Sequence, residues 1–86
     1  MKITFDPKKN ADNIRERQLS FDEVSKLEWS SAVILEDVRK DYGERRFRVL
    51  GTLMNVFMRS CLRHTKVLYM LLSFRKANSR EVKRYG

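Results

Sequence analysis

The hydrophobic and polar positions at the beginning of the chain predict a short strand followed by a helix. Polar and apolar residues alternate over residues 2–5, which is typical of a strand with one buried face. Asp6 and the proline that follows it then form a helix start signal, an N-cap before a proline at the first helical position. This helix is expected to run to about Arg17. Its apolar stripe is thin, with Ala11 and Ile14, so one face should cover a core while the other meets solvent or a ligand.

A second helix start follows within a few residues. Ser20 is a favourable N-cap, and Glu23 stands three positions later, which completes a capping box. Leu19 and Val24 occupy the two positions of a hydrophobic staple around this cap. The pattern therefore predicts a second, short N-terminal helix that ends near Trp29.

The remainder of the chain changes to strand-like patterns. Four segments are rich in β-branched and apolar residues: residues 32–35, 45–50, 53–62 and 67–74. Gly51 is expected to mark a bulge or a turn between two of them, and His64 to lie in a solvated loop. Asn78 then caps a closing helix over residues 80–85.

Consecutive strands without helices between them favour an antiparallel sheet and hence the α+β class. The predicted order is one strand, two helices, four strands and one helix. We therefore expect two N-terminal helices packed on a mostly antiparallel sheet, with a short C-terminal helix.

Length and composition restrict the classes of protein that remain. Eighty-six residues, of which 42% are hydrophobic and 35% charged, are expected to form one folded domain over residues 1–86. A single cysteine, Cys61, excludes an internal disulfide and a cysteine-based zinc site, and His64 is the only histidine. We therefore expect no metal and no cofactor. The chain shows no leader pattern and no apolar run long enough to span a bilayer, so we expect a cytoplasmic protein without a membrane partner.

The distribution of charge is strongly uneven. The formal net charge is +8, but residues 1–41 contain eight basic and nine acidic residues, whereas residues 42–86 contain eleven basic and two acidic residues. Such self-repulsion has a cost in stability, and a polyanionic partner is its natural explanation. The charge therefore favours a nucleic-acid partner over the alternative of a merely solvated basic face.

Several charged residues are candidates for the chemistry of a phosphate site. Arg46 and Arg48 are expected on the same side of one strand, and Arg75 with Lys76 at the end of the last strand. Arginine binds phosphate through two parallel hydrogen bonds and keeps its proton at neutral pH. Glu81 is a lone carboxylate in this basic region, and it is a candidate general base or a partner that orients an arginine. The alternative is a simple helix-face salt bridge between Glu81 and a neighbouring arginine, Arg80 or Arg84.

Four segments of the chain together carry a family resemblance. They are FDPKKN at residues 5–10, LSFDE at 19–23, GERRF at 43–47 and LLSFRKA at 71–77, the last followed by Glu81 and Tyr85. Their order and spacing resemble the BrnT family, small bacterial toxins of type II toxin–antitoxin systems with a RelE-like fold. The resemblance implies an endoribonuclease that inhibits translation, and an antitoxin protein, BrnA-like, that wraps and silences it.

The resemblance also suggests roles for individual residues. Arg46 and Arg75 would stabilise the phosphate, Lys76 would be an auxiliary cation, and Glu81 would be the orienter or the base. The residues expected to contact RNA are Lys8, Arg15, Arg17 and Arg48. Cleavage at such a site needs no metal if cations are preorganised around the phosphate.

Two positions depart from the family pattern. The family has Lys-His-Gly after the first helix, where this chain has Glu16, Arg17 and Gln18, and it has an arginine where this chain has Met70. Arg17 is able to bind phosphate but not to act as a base. This departure keeps an alternative open, a catalytically decayed module that binds nucleic acid or antitoxin. A further alternative is a structural protein whose basic face docks an acidic protein.

Overall fold

The computed structural model describes residues 2–86 and consists of one five-stranded sheet with helices around it. The strands are β1 (Ile3–Phe5), β2 (Val33–Glu36), β3 (Arg46–Leu53), β4 (Val56–His64) and β5 (Tyr69–Lys76). The α-helices are α1 (Pro7–Arg17) and α2 (Ser79–Tyr85), and two short 3₁₀ helices, Phe21–Lys26 and Trp29–Ser31, lie between α1 and β2. The predicted α+β class is therefore confirmed. Over residues 2–86, neither α-helix has the length and apolar character needed to cross a membrane.

The sheet is mixed, which corrects the expectation of an antiparallel sheet. The strand order is β1-β5-β4-β3-β2, and β1 pairs parallel with β5 whereas the other three pairings are antiparallel. The physical reason lies in the connection that leaves β1. A tight hairpin forces the next strand to run antiparallel, but β1 leads into α1, so no hairpin fixes its direction beside the distant β5.

The prediction of a second N-terminal α-helix is wrong, because residues Phe21–Lys26 form a 3₁₀ helix instead. Phe21, Val24 and Leu27 are all buried and follow each other at intervals of three residues, which matches the three-residue turn of a 3₁₀ helix. Ser20 does act as the cap, and its hydroxyl accepts a hydrogen bond of 3.2 Å from the Asp22 backbone. The predicted capping box does not form, because the Glu23 backbone N–H donates to the Ser20 carbonyl.

Gly51 is neither a bulge nor a turn. It lies inside β3 and pairs with Met58, and a Cβ at this position would stand 3.2 Å from the Cβ of Ala32. Close packing against Ala32 therefore explains the glycine. The turn lies further on, at Met54 and Asn55, whose φ angles of 47° and 69° are those of a two-residue hairpin loop.

Helix α1 is capped as predicted and is joined to the sheet by a buried amide. The Asp6 carboxylate accepts a hydrogen bond of 2.9 Å from the Lys8 backbone. Asn13 is buried, and its Nδ2 donates to the carbonyl oxygens of Leu19, at 2.9 Å, and Phe74, at 3.0 Å. The hydrogen bonds of Asn13 thus hold α1 against β5, where the few apolar side chains of α1 would pack only weakly.

The main core cluster lies against one face of the sheet, and Leu50 is buried on the other face. The buried side chains of the main cluster are Phe21, Val24, Leu27, Val49, Leu53, Met58, Leu62, Leu71 and Phe74. Complete burial of such a side chain contributes about 1.5–3 kcal/mol to stability, so this layer carries much of the fold. Because strand side chains alternate between the two faces, every second residue of β3 and β4 points away from this core. On β5 a register shift between Leu71 and Ser73 interrupts the alternation, so that Leu71 and Phe74 both face the core and Arg75 points away from it.

Candidate functional site

The sheet face opposite the core carries five arginines from three adjacent strands. They are Arg46 and Arg48 on β3, Arg59 and Arg63 on β4, and Arg75 on β5, and we call this surface the arginine face. The register places Arg46 directly opposite Arg63, and Arg59 directly opposite Arg75. Like charges in directly opposed positions destabilise a sheet unless something compensates them.

Two carboxylates compensate these pairs, and they are the only two acidic residues among residues 42–86. Glu81 lies between Arg59 and Arg75, and Glu44 lies between Arg46 and Arg63. We call these groups of three residues the Glu81 cluster and the Glu44 cluster.

The Glu81 cluster contains a two-point ion pair. Arg75 donates from Nη1 and Nη2 to Oε1 and Oε2 of Glu81, at 2.9 and 3.1 Å. Arg59 Nε lies 3.1 Å from Glu81 Oε2 but does not point at it, so this contact is a charge interaction without a hydrogen bond. The Arg75 guanidinium is fixed further by donation to the Lys76 carbonyl at 2.9 Å.

The start of α2 determines where Glu81 stands. Asn78 and Glu81 form a capping box: the Asn78 side chain accepts from the Glu81 backbone at 2.9 Å, and Glu81 Oε1 accepts from the Asn78 backbone at 2.8 Å. The predicted cap is therefore confirmed, with α2 beginning at Ser79. The same hydrogen bonds turn the Glu81 side chain back toward the end of β5.

Glu81 remains ionised in this environment. Burial alone would raise the pKa of its carboxyl, but hydrogen bonds from Arg75 and from the Asn78 backbone, together with the charges of Arg75 and Arg59, outweigh it. The pKa is consequently held below its ordinary value of 4.5. The interpretation of Glu81 as a helix-face partner of Arg80 or Arg84 is not supported, because its ion pairs are with strand arginines.

The Glu44 cluster is looser. Glu44 Oε2 accepts from Arg46 Nε at 3.1 Å, while Arg63 Nη1 is 3.5 Å from Oε1. The Arg46 guanidinium carbon lies 4.0 Å from the centre of the Tyr42 ring. The hydrogen bond from Arg46 and the charges of Arg46 and Arg63 lower the pKa of Glu44.

Arg48 lies between the two clusters. Within residues 2–86 it forms no ion pair with a carboxylate, and its Nε is buried without a hydrogen-bond partner. A cavity of about 200 Å³ separates β3 from α2 and is lined by Arg48 and Glu81, with Asn78, Arg80, Arg84 and Tyr85 completing the wall. A cationic donor without an acceptor beside a positively lined cavity is an arrangement that suits an anion.

The predicted site residues are therefore brought together only in part. Arg75 and Glu81 lie at one end of the arginine face, and Arg48 lines the cavity beside Glu81. Arg46 belongs to the Glu44 cluster, at the other end of the arginine face from Arg75. On β4, Arg59 and Arg63 are four residues apart, which separates the clusters by about 13 Å along the strand.

The remaining predicted residues lie around the edge of the fold. Arg17 and Lys76 line one groove of about 620 Å³ together with Arg75 and the apolar Leu53 and Met58. Lys8 and Arg15 lie on the exposed surface of α1, and Arg15 is paired with Asp12. In the part of the chain that the structure describes, no contact joins Lys8 or Arg15 to either cluster.

His64 lies away from the Glu81 cluster. It is the last residue of β4 rather than a loop residue, and its ring centre is 4.8 Å from that of Tyr69. The alternation of β4 points its side chain to the core side of the sheet, opposite to that of Arg63.

Sequence reasoning missed three members of the two clusters: Arg59, Arg63 and Glu44. The signal for the two arginines was the pattern of β4, where Arg59 and Arg63 alternate with the buried Met58, Ser60 and Leu62. Pairing β4 with both β3 and β5 was needed before that alternation identified a shared face.

Comparison with known protein families identifies a family of ribonucleases, which is consistent with a site rich in arginine. A family model described as "Ribonuclease toxin, BrnT, of type II toxin-antitoxin system" matches residues 5–81, which is most of the chain. No curated protein sequence matches. Membership implies an RNA target and an antitoxin partner. The resemblance drawn from the sequence motifs is thus confirmed, and the chain belongs to the BrnT family of type II toxin–antitoxin ribonuclease toxins.

Proposed function

We propose that the protein is a metal-independent endoribonuclease that inhibits translation, and that the phosphate to be cleaved binds between Arg48 and the Glu81 cluster. The observation that carries this proposal is the buried, unpartnered Nε of Arg48 beside the cavity under α2. A phosphodiester supplies the acceptor oxygens that this nitrogen and its guanidinium lack. Arg75 stands at the same end of the face, held in one orientation by both oxygens of Glu81.

The proposed reaction is internal transesterification of RNA. The 2′-oxygen forms a bond to phosphorus and loses its proton, while the bond from phosphorus to the 5′-oxygen breaks and that oxygen gains a proton. Negative charge accumulates on the phosphoryl oxygens in between. Guanidinium groups fixed before the reaction stabilise this charge without reorganisation, which is the largest contribution at many such sites. Arg48 and Arg75 are the proposed catalytic cations.

Glu81 is proposed as a positioning residue rather than as the base. Its lowered pKa makes it a weak proton acceptor at neutral pH, because a base works best when its pKa is near the working pH. Both of its oxygens are already engaged by Arg75 and Asn78. Its role is to hold Arg75 and to offset the charge of Arg59.

The other predicted residues are proposed as contacts outside the reacting phosphate. Arg17 and Lys76 share a groove with Arg75, so they are placed to hold the RNA backbone on that side. Arg46 would act at the opposite end of the arginine face. Lys8 and Arg15 would contribute to longer-range attraction from α1, which is screened by salt.

The antitoxin is proposed to be a BrnA-like protein that covers the arginine face with acidic side chains. The face carries five arginines and two glutamates, so an acidic segment would bind it by charge complementarity and exclude RNA. Toxin and antitoxin would meet in the cytoplasm.

Cleavage of RNA by the purified protein in EDTA tests the proposal. The wild-type protein is expected to cleave a ribonucleotide substrate, and to leave the same sequence with 2′-deoxyribose intact. Arg75→Ala should lower the rate of cleavage by about 10²–10³-fold, whereas the control Arg45→Ala should leave it unchanged. Arg45 is a fitting control because it is exposed and paired with Glu36 at β2.

A second outcome would favour the decayed-site alternative, which is motivated by Arg17 in place of the family histidine. In that case the protein would bind RNA with a steep salt dependence but cleave nothing, and its expression would not arrest growth. Growth arrest that requires Arg75 would contradict that alternative.

A further inference from the structure

The two clusters of the arginine face differ in how well the N–H groups of their arginines are supplied with hydrogen-bond acceptors. In the Glu81 cluster, Arg75 has both of its terminal nitrogens bound to a carboxylate, and the buried Nε of Arg59 lies 3.1 Å from Glu81 Oε2 without a hydrogen bond. In the Glu44 cluster, Arg63 has a distant carboxylate at 3.5 Å, a thioether sulfur of Met70 at 3.3 Å, and a buried Nε without a partner. Sulfur is a weak acceptor, so most of the donor capacity of Arg63 is unused.

Arg46 has unused capacity of the same kind. Its hydrogen bond to Glu44 uses Nε, and its guanidinium carbon lies 4.0 Å from the centre of the Tyr42 ring. Over residues 2–86 no acceptor is recorded for its two terminal nitrogens. The side chains of Arg46 and Arg63 are 35% and 38% exposed, so an incoming anion can reach them.

The net charge of the arginine face and the distance between its two clusters indicate a ligand with several phosphates. Five arginines against two glutamates leave a formal charge of +3 on the face, with Arg48 between the two clusters. The clusters are about 13 Å apart along β4, so a single phosphate cannot reach both of them. A chain of regularly spaced phosphates can.

We propose that the Glu44 cluster is a second phosphate-binding site, formed by Arg46 and Arg63, which holds the RNA backbone at a distance from the cleaved bond. This inference rests on the proposed function, because it assumes that the same RNA strand enters the cavity at Arg48. The strand then runs across the arginine face along β3 and β4. The substrate is accordingly an extended, single-stranded RNA of several nucleotides rather than a dinucleotide.

Length-dependent RNA binding tests the second site. Binding is measured by fluorescence anisotropy at several salt concentrations, with 2′-O-methyl RNA, which cannot be cleaved, as a dinucleotide and as an oligomer of about ten nucleotides. Arg63→Gln is expected to weaken binding of the oligomer about tenfold and to reduce the slope of log K against log salt by about 0.7 for each lost phosphate contact. Binding of the dinucleotide should not change.

A second variant, expected to strengthen RNA binding, distinguishes a lost phosphate contact from a general loss of folding. Glu44→Gln removes the competing carboxylate, so it should strengthen binding of the oligomer and steepen its salt dependence, which a destabilised protein would not do. Arg45→Ala removes an adjacent charge that is paired with Glu36 and should leave the slope within about 0.7 of the wild-type value. Circular dichroism spectra matching the wild type are required of every variant.

The outcomes separate this inference from the proposed function. If the oligomer binds Arg63→Gln and Glu44→Gln with the wild-type affinity and slope, the second site is overturned even though cleavage in EDTA stands. If the wild-type protein binds the oligomer with the expected dependence on Arg63 but cleaves no RNA, the second site is supported and the catalytic proposal fails.

Discussion

The Glu81 and Glu44 clusters have the same composition and differ in how firmly they are built. Each contains one glutamate between two arginines on opposed strand positions. In the Glu81 cluster the three side chains are 14%, 16% and 24% exposed and the contacts measure 2.9–3.1 Å. In the Glu44 cluster the corresponding exposures are 26%, 35% and 38%, with contacts of 3.1 and 3.5 Å. The first is therefore preorganised, and the second is open to exchange its partner.

The difference originates in the element that carries each glutamate. Glu81 stands in the first turn of a capped helix, where backbone hydrogen bonds fix it independently of the arginines. Glu44 stands in the loop before β3. That loop is fastened further away by Asp37, which accepts hydrogen bonds from Arg39 and from the Tyr42 hydroxyl. Helix capping suits a site that must hold a geometry, and a loop suits one that adapts to its ligand.

The largest expected effect is on cleavage, and it separates the two clusters. Arg75→Ala should lower kcat by about 10²–10³-fold, because it removes a preorganised donor at the reacting phosphate. Arg46→Ala should raise KM and change kcat little, because Arg46 lies in the other cluster. Steady-state kinetics on a labelled RNA oligomer measure both constants. Equal losses of kcat in the two variants would contradict the division of the face.

The second effect is on stability. Glu81→Gln should lower the free energy of unfolding by about 2 kcal/mol, since it leaves Arg59 and Arg75 largely buried without a carboxylate. Glu44→Gln should cost no more than about 1 kcal/mol, because its ion pairs are more exposed. Urea unfolding followed by circular dichroism gives both values. The proposed difference in construction is wrong if Glu44→Gln is the more damaging substitution.

The pH dependence of stability follows from the lowered pKa of Glu81. A carboxyl whose pKa is lower in the folded state stabilises the protein fully above its unfolded pKa. That contribution is lost as the pH falls from about 4.5 through the folded pKa. The difference in unfolding free energy between the wild type and Glu81→Gln should be constant from about pH 6 to 7 and shrink as the pH falls below 4.5. Unfolding curves at a series of pH values check this, and a difference that grows on acidification would contradict it.

A smaller change in rate is expected from Arg17→His, which acts at the Glu81 end alone. Arg17 shares a groove with Arg75 and Lys76, and an imidazole there would titrate near its unperturbed pKa of about 6.5. We expect cleavage to rise by about tenfold, below the effect of a fully placed acid or base, and to become pH-dependent. RNA binding should weaken, because a permanent charge is lost. An unchanged rate and pH profile would exclude position 17 from proton transfer.

The sequence predicted the elements of the fold better than it predicted the clusters. The Asp6 and Asn78 caps were visible because helix starts are local signals, and both are confirmed. The segment around Phe21, Val24 and Leu27 was predicted as an α-helix because a cap and a hydrophobic staple precede α-helices and 3₁₀ helices alike. The only feature that distinguishes the 3₁₀ helix is the interval of three residues between the buried side chains. The local patterns were therefore sufficient for the two helix starts but not for the type of every helix.

The composition of the clusters depends on strand pairing, which single-sequence patterns do not give. Arg75 and Glu81 could both be singled out from the sequence because only six positions separate them, and the structure joins them in a two-point ion pair. The position of Arg46 opposite Arg63 was not visible in the sequence, because Arg63 comes from the next strand at a register fixed by the Met54–Asn55 turn. Charge and family motifs identified the basic half of the chain, and the strand register shows that its arginines form two clusters.

The smallest expected effect compares the caps of two helices. Asn78→Ala should destabilise the protein by about 1 kcal/mol and should also lower kcat, because the Asn78 cap fixes the helix turn that holds Glu81 against Arg75. Ser20→Ala removes a cap of similar type from the 3₁₀ helix, with a single hydrogen bond of 3.2 Å, so it should cost up to about 1 kcal/mol. The Ser20 hydroxyl forms hydrogen bonds with Asp22 and with no member of either cluster. We therefore expect Ser20→Ala to keep the wild-type kcat. Denaturant midpoints and single-turnover cleavage on the two variants provide the measurement. If both variants lose stability and keep their rate, the cap of α2 supports the fold alone, and the orientation of Arg75 must come from Glu81 and the Lys76 carbonyl without it.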